Sequence, residues 1–258
     1  MSRDGKIAVA GATGRVGHHV VEVLTARGHD VVPISRSHGI DVITGEGLAE
    51  ALAGVECIVD TATGPSPEQQ AATEFFTTAA RNLQEAGRLA GVQRIIVVSI
   101  INTDRLKGGY AIAKVAHEQA TLSGPGPARV LRAAQFHEFV AQLVQWGTHG
   151  DVAYVPRMRT QLIAARTVGE ALADLATDPG SAPGSTLEVA GPRAEELTEM
   201  AKLLIGRQGN SLRVEAVSDP IDGQANESGA LLPGPDALLG GPTFEEWLDS
   251  VDGVKLLR

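Results

Sequence analysis

Two patterns of apolar and polar positions alternate along this chain. Short apolar runs, which suit strands, are separated by stretches where apolar residues recur every three or four positions, which suits helices. Ile7–Ala10 is the first strand, and roughly Arg15–Arg27 is a helix with Val16, Val20, Val23 and Leu24 on its inner face. Gly28-His29 stops that helix, and Val31-Val32-Pro33-Ile34 within Asp30–Ser35 is the second strand. Ile40-Asp41-Val42 reads as a short third strand, Gly47–Ala53 as a short helix and Val55–Thr61 as a fourth strand. Pro67 to about Ala90 is a long helix with Ala71, Phe75, Ala79 and Leu83 on one stripe, ended by Gly91. Arg94–Ile100 is almost wholly apolar, as parallel strands buried on both faces are. Tyr110–Leu122 is a helix stopped by Gly124-Pro125-Gly126-Pro127, and Ala128–Arg132 is a sixth strand. Strands alternating with helices at this spacing predict an α/β fold with a doubly wound parallel sheet.

The second half is less regular. Helices are expected at Gln135–Thr148, at Thr167–Thr177 (capped by Thr167, ended before Pro179), and at Ala194–Ile205. Strands are expected at Val152–Val155, Thr186–Ala190 and Leu212–Val217. Asp219–Pro242 is rich in Gly and Pro without periodicity and reads as an ordered loop or lid. Thr243 and Glu246 form the signature of a capping box before a last helix. The expectation is one domain over residues 1–258, with about 135–258 supplying most of a small C-terminal substrate-side lobe.

The first strand runs into Gly11-Ala12-Thr13-Gly14-Arg15-Val16-Gly17 and then directly into a helix, the order a dinucleotide fingerprint requires. Gly11 permits the turn, Gly14 lets a pyrophosphate approach the backbone, and Gly17 lets the helix pack close to the sheet. The helix N-terminus offers N–H groups and partial positive charge to phosphates. The second strand ends in Ser35-Arg36-Ser37 with no acid, which suits the 2′-phosphate of NADP(H) rather than the free ribose hydroxyl of NAD(H). Thr13, Arg15, Val16, Ser35, Asp41, Ala62 and Thr63 complete the expected cofactor-binding set in this half.

Ser99 stands at the carboxyl end of an apolar strand, where ligands bind in open α/β sheets. Eleven residues later, Tyr110 and Lys114 lie four apart on one helical face. An ammonium beside a phenol favours phenolate and lowers the tyrosine pKa, so Tyr110 is a candidate proton donor or acceptor for a carbonyl, with Ser99 orienting the same oxygen.

Composition narrows the function. Hydrophobic residues make up 43% of the chain, enough for a core, while aromatics are only 3%. The net charge of −9 and the lack of any Lys/Arg run argue against nucleic acid or anionic membrane as partner. Met1-Ser2-Arg3-Asp4 is polar, and no stretch has the length of a membrane span, so a cytoplasmic protein is expected. The single Cys57, in an apolar strand, reads as a core residue. Seven scattered histidines show no metal spacing, and no metal is expected. His18 and His19 read as surface or packing residues, His137-Glu138 as a helix start with acid–base chemistry as the alternative, and Trp146 and Trp247 as core or lid packing.

The chain resembles the NmrA-like branch of the atypical short-chain dehydrogenase/reductases. The resemblance rests on Gly11 to Gly17, Ile96-Val97-Val98-Ser99, Tyr110-Ala111-Ile112-Ala113-Lys114, the stretch Val130 to Phe139, and Val189-Ala190-Gly191-Pro192, and so spans most of the chain. It implies a Rossmann-type fold, NADP(H) as cofactor, and Ser99, Tyr110 and Lys114 as the reductase triad. It also implies that Lys114 contacts the nicotinamide ribose and that the backbone at Ala134, Gln135 and Phe136 lies beside the nicotinamide. The Ser-to-Tyr gap is shorter than in classical members. Some NmrA-like proteins bind the dinucleotide as sensors without turnover, and biosynthetic enzymes with non-hydride chemistry share the fold. The leading expectation is an NADPH-dependent oxidoreductase, monomeric or homodimeric. Phe136, Phe139 and Leu143 suggest a small or medium apolar carbonyl or quinone-like substrate.

Overall fold

The computed structural model describes residues 5–178 and 184–256, so Met1-Ser2-Arg3-Asp4 and the expected stop at Pro179 lie outside the described residues. The first elements are β1 (Lys6–Ala10), α1 (Gly17–Ala26), β2 (Val31–Ile34), α2 (Leu48–Ala51), β3 (Val55–Asp60), α3 (Gln69–Ala90), β4 (Arg94–Ile100), α4 (Gly109–Leu122) and β5 (Ala128–Ala133). There follow α5 (His137–Gly147), β6 (Thr148–His149), β7 (Val152–Pro156), β8 (Arg159–Thr160), α6 (Ala165–Thr177), β9 (Thr186–Ala190), β10 (Glu195–Glu196) and α7 (Leu197–Arg207). The chain continues through β11 (Arg213–Val217), α8 (Gly223–Ser228), β12 (Leu238–Leu239), α9 (Phe244–Leu248) and α10 (Val251–Leu256).

Two compact units are formed: Met1–Ser99, Gly108–Arg132 and Val168–Leu187 make the first, and Ile100–Lys107, Ala133–Thr167 and Glu188–Arg258 the second. In the first, parallel strands run in the order β9-β5-β4-β3-β1-β2. The chain leaves β1 for β2 on one side and returns to β3 on the other, so β1 is the topological switch point of a Rossmann-type sheet. Ala10 pairs with Ile34 and Asp60, and Asp60 with Val97, which brings the carboxyl ends of four strands level. Ala8, Ala10, Ile34, Leu52, Ile58 and Leu83 are buried in one cluster, the consequence of a sheet whose strands are apolar on both faces.

The second unit has its own core, in which Val140, Val144, Val155, Leu204, Phe244 and Trp247 are buried together. Its sheet runs β11-β7-β6, with β11 parallel and β6 antiparallel to β7. Within the same unit β12 pairs in parallel with the end of β9, Leu238 opposite Val189. Thr243 accepts from the Glu246 backbone and the Glu246 carboxylate accepts from the Thr243 backbone, closing the expected capping box on α9.

Several sequence expectations are corrected. Ile40-Asp41-Val42 is a turn and not a strand: Asp41 Oδ1 accepts from Ile43 N at 2.7 Å, and Gly45 N donates to Asp41 O at 2.9 Å. A carboxylate that captures nearby N–H groups competes with strand pairing. On α3 the buried stripe is Ala72, Phe76, Ala79, Ala80 and Leu83, one residue on from the expected Ala71 and Phe75 at its start. Thr167 lies inside α6 and does not cap it. The expected helix at Ala194 starts only at Leu197, because Glu195 and Glu196 pair antiparallel with Thr160 and Arg159. Asp219–Pro242 contains the short α8 and β12 within its loop. Trp247 is buried, but Trp146 is 55% exposed, its ring edge against Phe139.

Candidate active site

The carboxyl ends of β1 to β4 carry the candidate residues of the first unit. After β1 the chain turns at Gly11, whose φ of +75° belongs to glycine and whose Cβ position would lie 2.8 Å from Ala62 N. At Gly17 a Cβ would stand 2.1 Å from the Gly11 carbonyl oxygen and 2.7 Å from Thr61 Oγ1, so α1 can seat this close to β3 only through glycine. Thr61 Oγ1 donates to Ala10 O at 2.7 Å and ties the two strand ends together. Thr13, Gly14 and Arg15 are exposed, and a Cβ at Gly14 would meet only the Gly11 carbonyl oxygen at 3.1 Å. The turn thus presents bare backbone before the start of α1, with Val16 buried beneath it. That geometry fits a pyrophosphate.

At the tip of β2, Ser35 Oγ lies 2.8 Å from Ser37 Oγ and 2.7 Å from His38 Nδ1, while Arg36 is exposed. The Arg36 side chain has no hydrogen bond or ion pair to other described residues, while its backbone oxygen accepts from Gly39 N at 3.0 Å. Asp41, expected at the cofactor, uses its carboxylate to hold the Asp41–Glu46 turn. After β3, Ala62 is buried and Thr63 exposed.

Ser99 is buried on β4, and its Oγ has no hydrogen-bond partner among the described residues. Such an orphan hydroxyl at the ligand end of the sheet fits a site completed by a ligand group. Lys114 comes to the same strand end from α4: its Nζ donates to Val98 O at 2.8 Å. It also donates to His117 Nδ1 at 2.9 Å and stands 4.4 Å from the centre of the Phe76 ring. Burial pulls the Lys114 pKa down to about 8, with Asp60 and then Glu118 resisting.

Tyr110 lies one turn before Lys114 and packs edge-on against Phe76, ring centres 5.8 Å apart. Its pKa is raised by burial, which corrects the lowering expected from Lys114. The ammonium is drawn to Val98 O and His117, so Tyr110 remains a phenol. In the second unit, Gln135 takes a hydrogen bond from Thr160, Ile163 N donates to Gln135 O at 3.0 Å, and Phe136 precedes α5. Ala134 is buried there.

Sequence reasoning did not single out His117 and Asp60. His117 Nε2 is 3.0 Å from Asp60 Oδ2, and both side chains are 98% or more buried. The available signal was slight: His117 is three residues from Lys114 on one helix, and Asp60 ends the apolar run of β3. Glu118 is held by Arg132 of β5 in a two-toothed pair, at 3.0 and 2.8 Å.

Other candidates have structural roles. His137 is fully buried against Phe244 and Trp247, lies 3.1 Å from Pro242 O through Nε2, and is pushed down to about 4 by burial. His19 is buried, and the exposed His18 bonds Gly14 O at 2.8 Å. Cys57 is buried and its thiol is pushed up to about 11, so it is inert. Among the described residues no cluster of His, Cys, Asp and Glu could hold a metal ion, and no helix is long and apolar enough to cross a membrane.

Comparisons agree with a nicotinamide site. Residues 11–122 match an NAD(P)H-binding family model. Quinone oxidoreductase 2 of Escherichia coli strain K12 is 28% identical over 239 residues, covering 83% of this chain and 78% of that one. A stretch of 117 residues is 32% identical to an L-arabinose 1-dehydrogenase (NAD(P)(+)) of Haloferax volcanii, covering 42% of this chain and 44% of that enzyme. Among solved structures, an NADPH-dependent quinone oxidoreductase (QOR2) from Escherichia coli has a TM-score of 0.66 at 20% identity, covering 94% of this chain and 98% of that one. MoeE5 in complex with UDP-glucose and NAD has a TM-score of 0.70 at 18% identity, covering 95% and 96%. At these identities the structural likeness establishes the fold.

Proposed function

We propose that the chain is an NADP(H)-dependent oxidoreductase of the NmrA-like branch of the atypical short-chain dehydrogenase/reductases, acting on a small or medium apolar carbonyl or quinone-like compound, a reading supported by its NAD(P)H-binding family match and its quinone oxidoreductase relative. The observation that carries this is the meeting of α4 with the carboxyl end of β4. There Lys114 Nζ sits on Val98 O, next in sequence to the unpartnered hydroxyl of Ser99, with Tyr110 one turn away. The quinone oxidoreductase relative supports the substrate class.

The reduced nicotinamide, when bound, supplies the hydride. Tyr110, kept as a phenol by burial, gives its proton to the substrate oxygen. Ser99 Oγ–H donates to the same oxygen and steadies the charge developing there. Lys114 offers its remaining N–H to the ribose and its positive charge to the phenolate that Tyr110 becomes. Arg36 pairs with the 2′-phosphate, and the Gly11–Gly17 turn takes the pyrophosphate.

The test is NADPH oxidation against a panel of quinones and carbonyls. A substrate is expected from that panel, and Tyr110→Phe should lower its turnover by ~10²–10⁴-fold, the usual worth of a positioned general acid. NADPH affinity should be nearly unchanged, since Lys114 is intact. Full turnover in Tyr110→Phe would remove the tyrosine from the mechanism. Tight NADPH binding with no turnover of any acceptor would favour a dinucleotide sensor.

A further inference from the structure

Behind Lys114 lies a polar chain that the proposed reductase chemistry does not itself require. Lys114 Nζ, His117 and Asp60 are linked in series at 2.9 and 3.0 Å, and all three side chains are buried. A protonated Lys114 can only donate, so His117 Nδ1 accepts from it. The ring proton must then sit on Nε2, where it is donated to Asp60 Oδ2. Asp60 is fixed in turn, because its Oδ1 accepts from Ala62 N at 2.9 Å. The His117 ring stacks on Phe76 at 4.6 Å, which leaves it one orientation.

We propose that Asp60, acting through His117, is the buried counter-charge that positions the Lys114 ammonium at the carboxyl end of β4. His117 and Asp60 are positioning residues, a role that rests on the reductase reading of Lys114. An isolated ammonium so deeply buried would lose its proton, and a paired and hydrogen-bonded one retains it. The charged groups around it are few. Asp60 comes from β3, and Glu118 lies on α4 itself, clamped by Arg132 of β5. From α3 the Phe76 ring faces it, and from β4 the Val98 carbonyl. Of the two carboxylates that favour the charged form of Lys114, Asp60 has the larger effect. Burial and Lys114 both hold His117 below its ordinary value, so the imidazole stays neutral and transmits the link without adding charge.

The test is an NMR titration of Lys114 in the ligand-free protein, by its side-chain carbon shift, in wild type, Asp60→Asn, His117→Leu and His117→Gln. Wild-type Lys114 should titrate near the value of about 8 that its setting gives. Losing a facing charge shifts a buried group by roughly one to three pH units, so Asp60→Asn should lower the midpoint by at least about one. His117→Leu should lower it too, and should remain informative if Asp60→Asn does not fold. His117→Gln keeps an acceptor for Lys114 and a donor for Asp60, and should restore the wild-type midpoint. Folded Asp60→Asn and His117→Leu proteins with an unmoved midpoint would overturn the relay. The same proteins titrated with NADPH separate the two ideas. A moved Lys114 midpoint without dinucleotide binding at any pH supports the relay's geometry and sinks the reductase reading. Dinucleotide binding whose alkaline limb ignores Asp60 sinks the relay and spares that reading.

Discussion

Arg36 and Lys114 are two cations of the proposed site, in opposite settings. Arg36 is exposed and free to meet a ligand, whereas Lys114 is 5% exposed and already hydrogen-bonded. Arg36→Ala should therefore remove charge-assisted hydrogen bonds worth ~1.5–3 kcal/mol each from a 2′-phosphate, and leave the rest of the protein as it is. The expected result in titration calorimetry is an NADPH affinity lower by roughly ten- to a hundredfold, with NADH affinity unchanged. Equal loss for both cofactors would refute the 2′-phosphate assignment. The placement of Tyr110, Lys114 and Ser99 was legible because local rules set it: two residues four apart on one helical face, and the end of an apolar strand. His117 and Asp60 were not, because 57 residues separate them and only the pairing of β3 with β4, covered by α4, brings them to 3.0 Å.

At the scale of elements, the glycine turn divides into positions that packing requires and one, Gly14, that packing leaves open and the proposed ligand would use. Gly17 is required by packing, since any side chain meets the Gly11 carbonyl at 2.1 Å. Gly17→Val should destabilise the protein by ~1–3 kcal/mol or more, as overpacking does, and lower its melting temperature. Gly14 faces open space apart from one 3.1 Å contact. Gly14→Val should melt close to wild type yet lose dinucleotide binding by calorimetry. A Gly14→Val protein with unchanged NADPH affinity would show that phosphate does not approach there. The same scale explains the errors of pattern reading. Periodicity found α3 but placed its stripe one residue early, since alanines on both sides of Phe76 make several faces equally apolar. It also missed β10 and β12, two-residue strands with no period of their own, which exist only because partners lie beside them.

For the whole molecule, the coarse assignment is an NAD(P)H-binding Rossmann-type protein of oxidoreductase kinship. A ligand that binds only the folded chain stabilises it by mass action. NADPH at a hundredfold excess over its dissociation constant should add ~2.7 kcal/mol, which for a chain of this size is a rise of ~5–11 °C in melting temperature. NADH at the same concentration should give a smaller rise, and Gly14→Val none with either. No shift with NADPH in a thermal melt would contradict cofactor binding. Each compact unit contains its own buried cluster, so hydrophobic burial supports both.

By itself the sequence determined what short-range physics controls. The order of strands and helices follows from hydrophobic period, the turn of Gly11 from the need for positive φ, and the α9 cap from Thr243 and Glu246. It also pointed to the strand ends that hold the candidate site, because a parallel sheet aligns its carboxyl ends once its register is set. Only the tertiary structure decided what those residues experience. Burial against Phe76 keeps Tyr110 a phenol, and the approach of β3 to α4 gives Lys114 a histidine and an aspartate as partners. A carboxylate's value depends on which distant group the fold brings within hydrogen-bonding reach and on how little water remains there, and neither is a property of neighbouring residues in the chain.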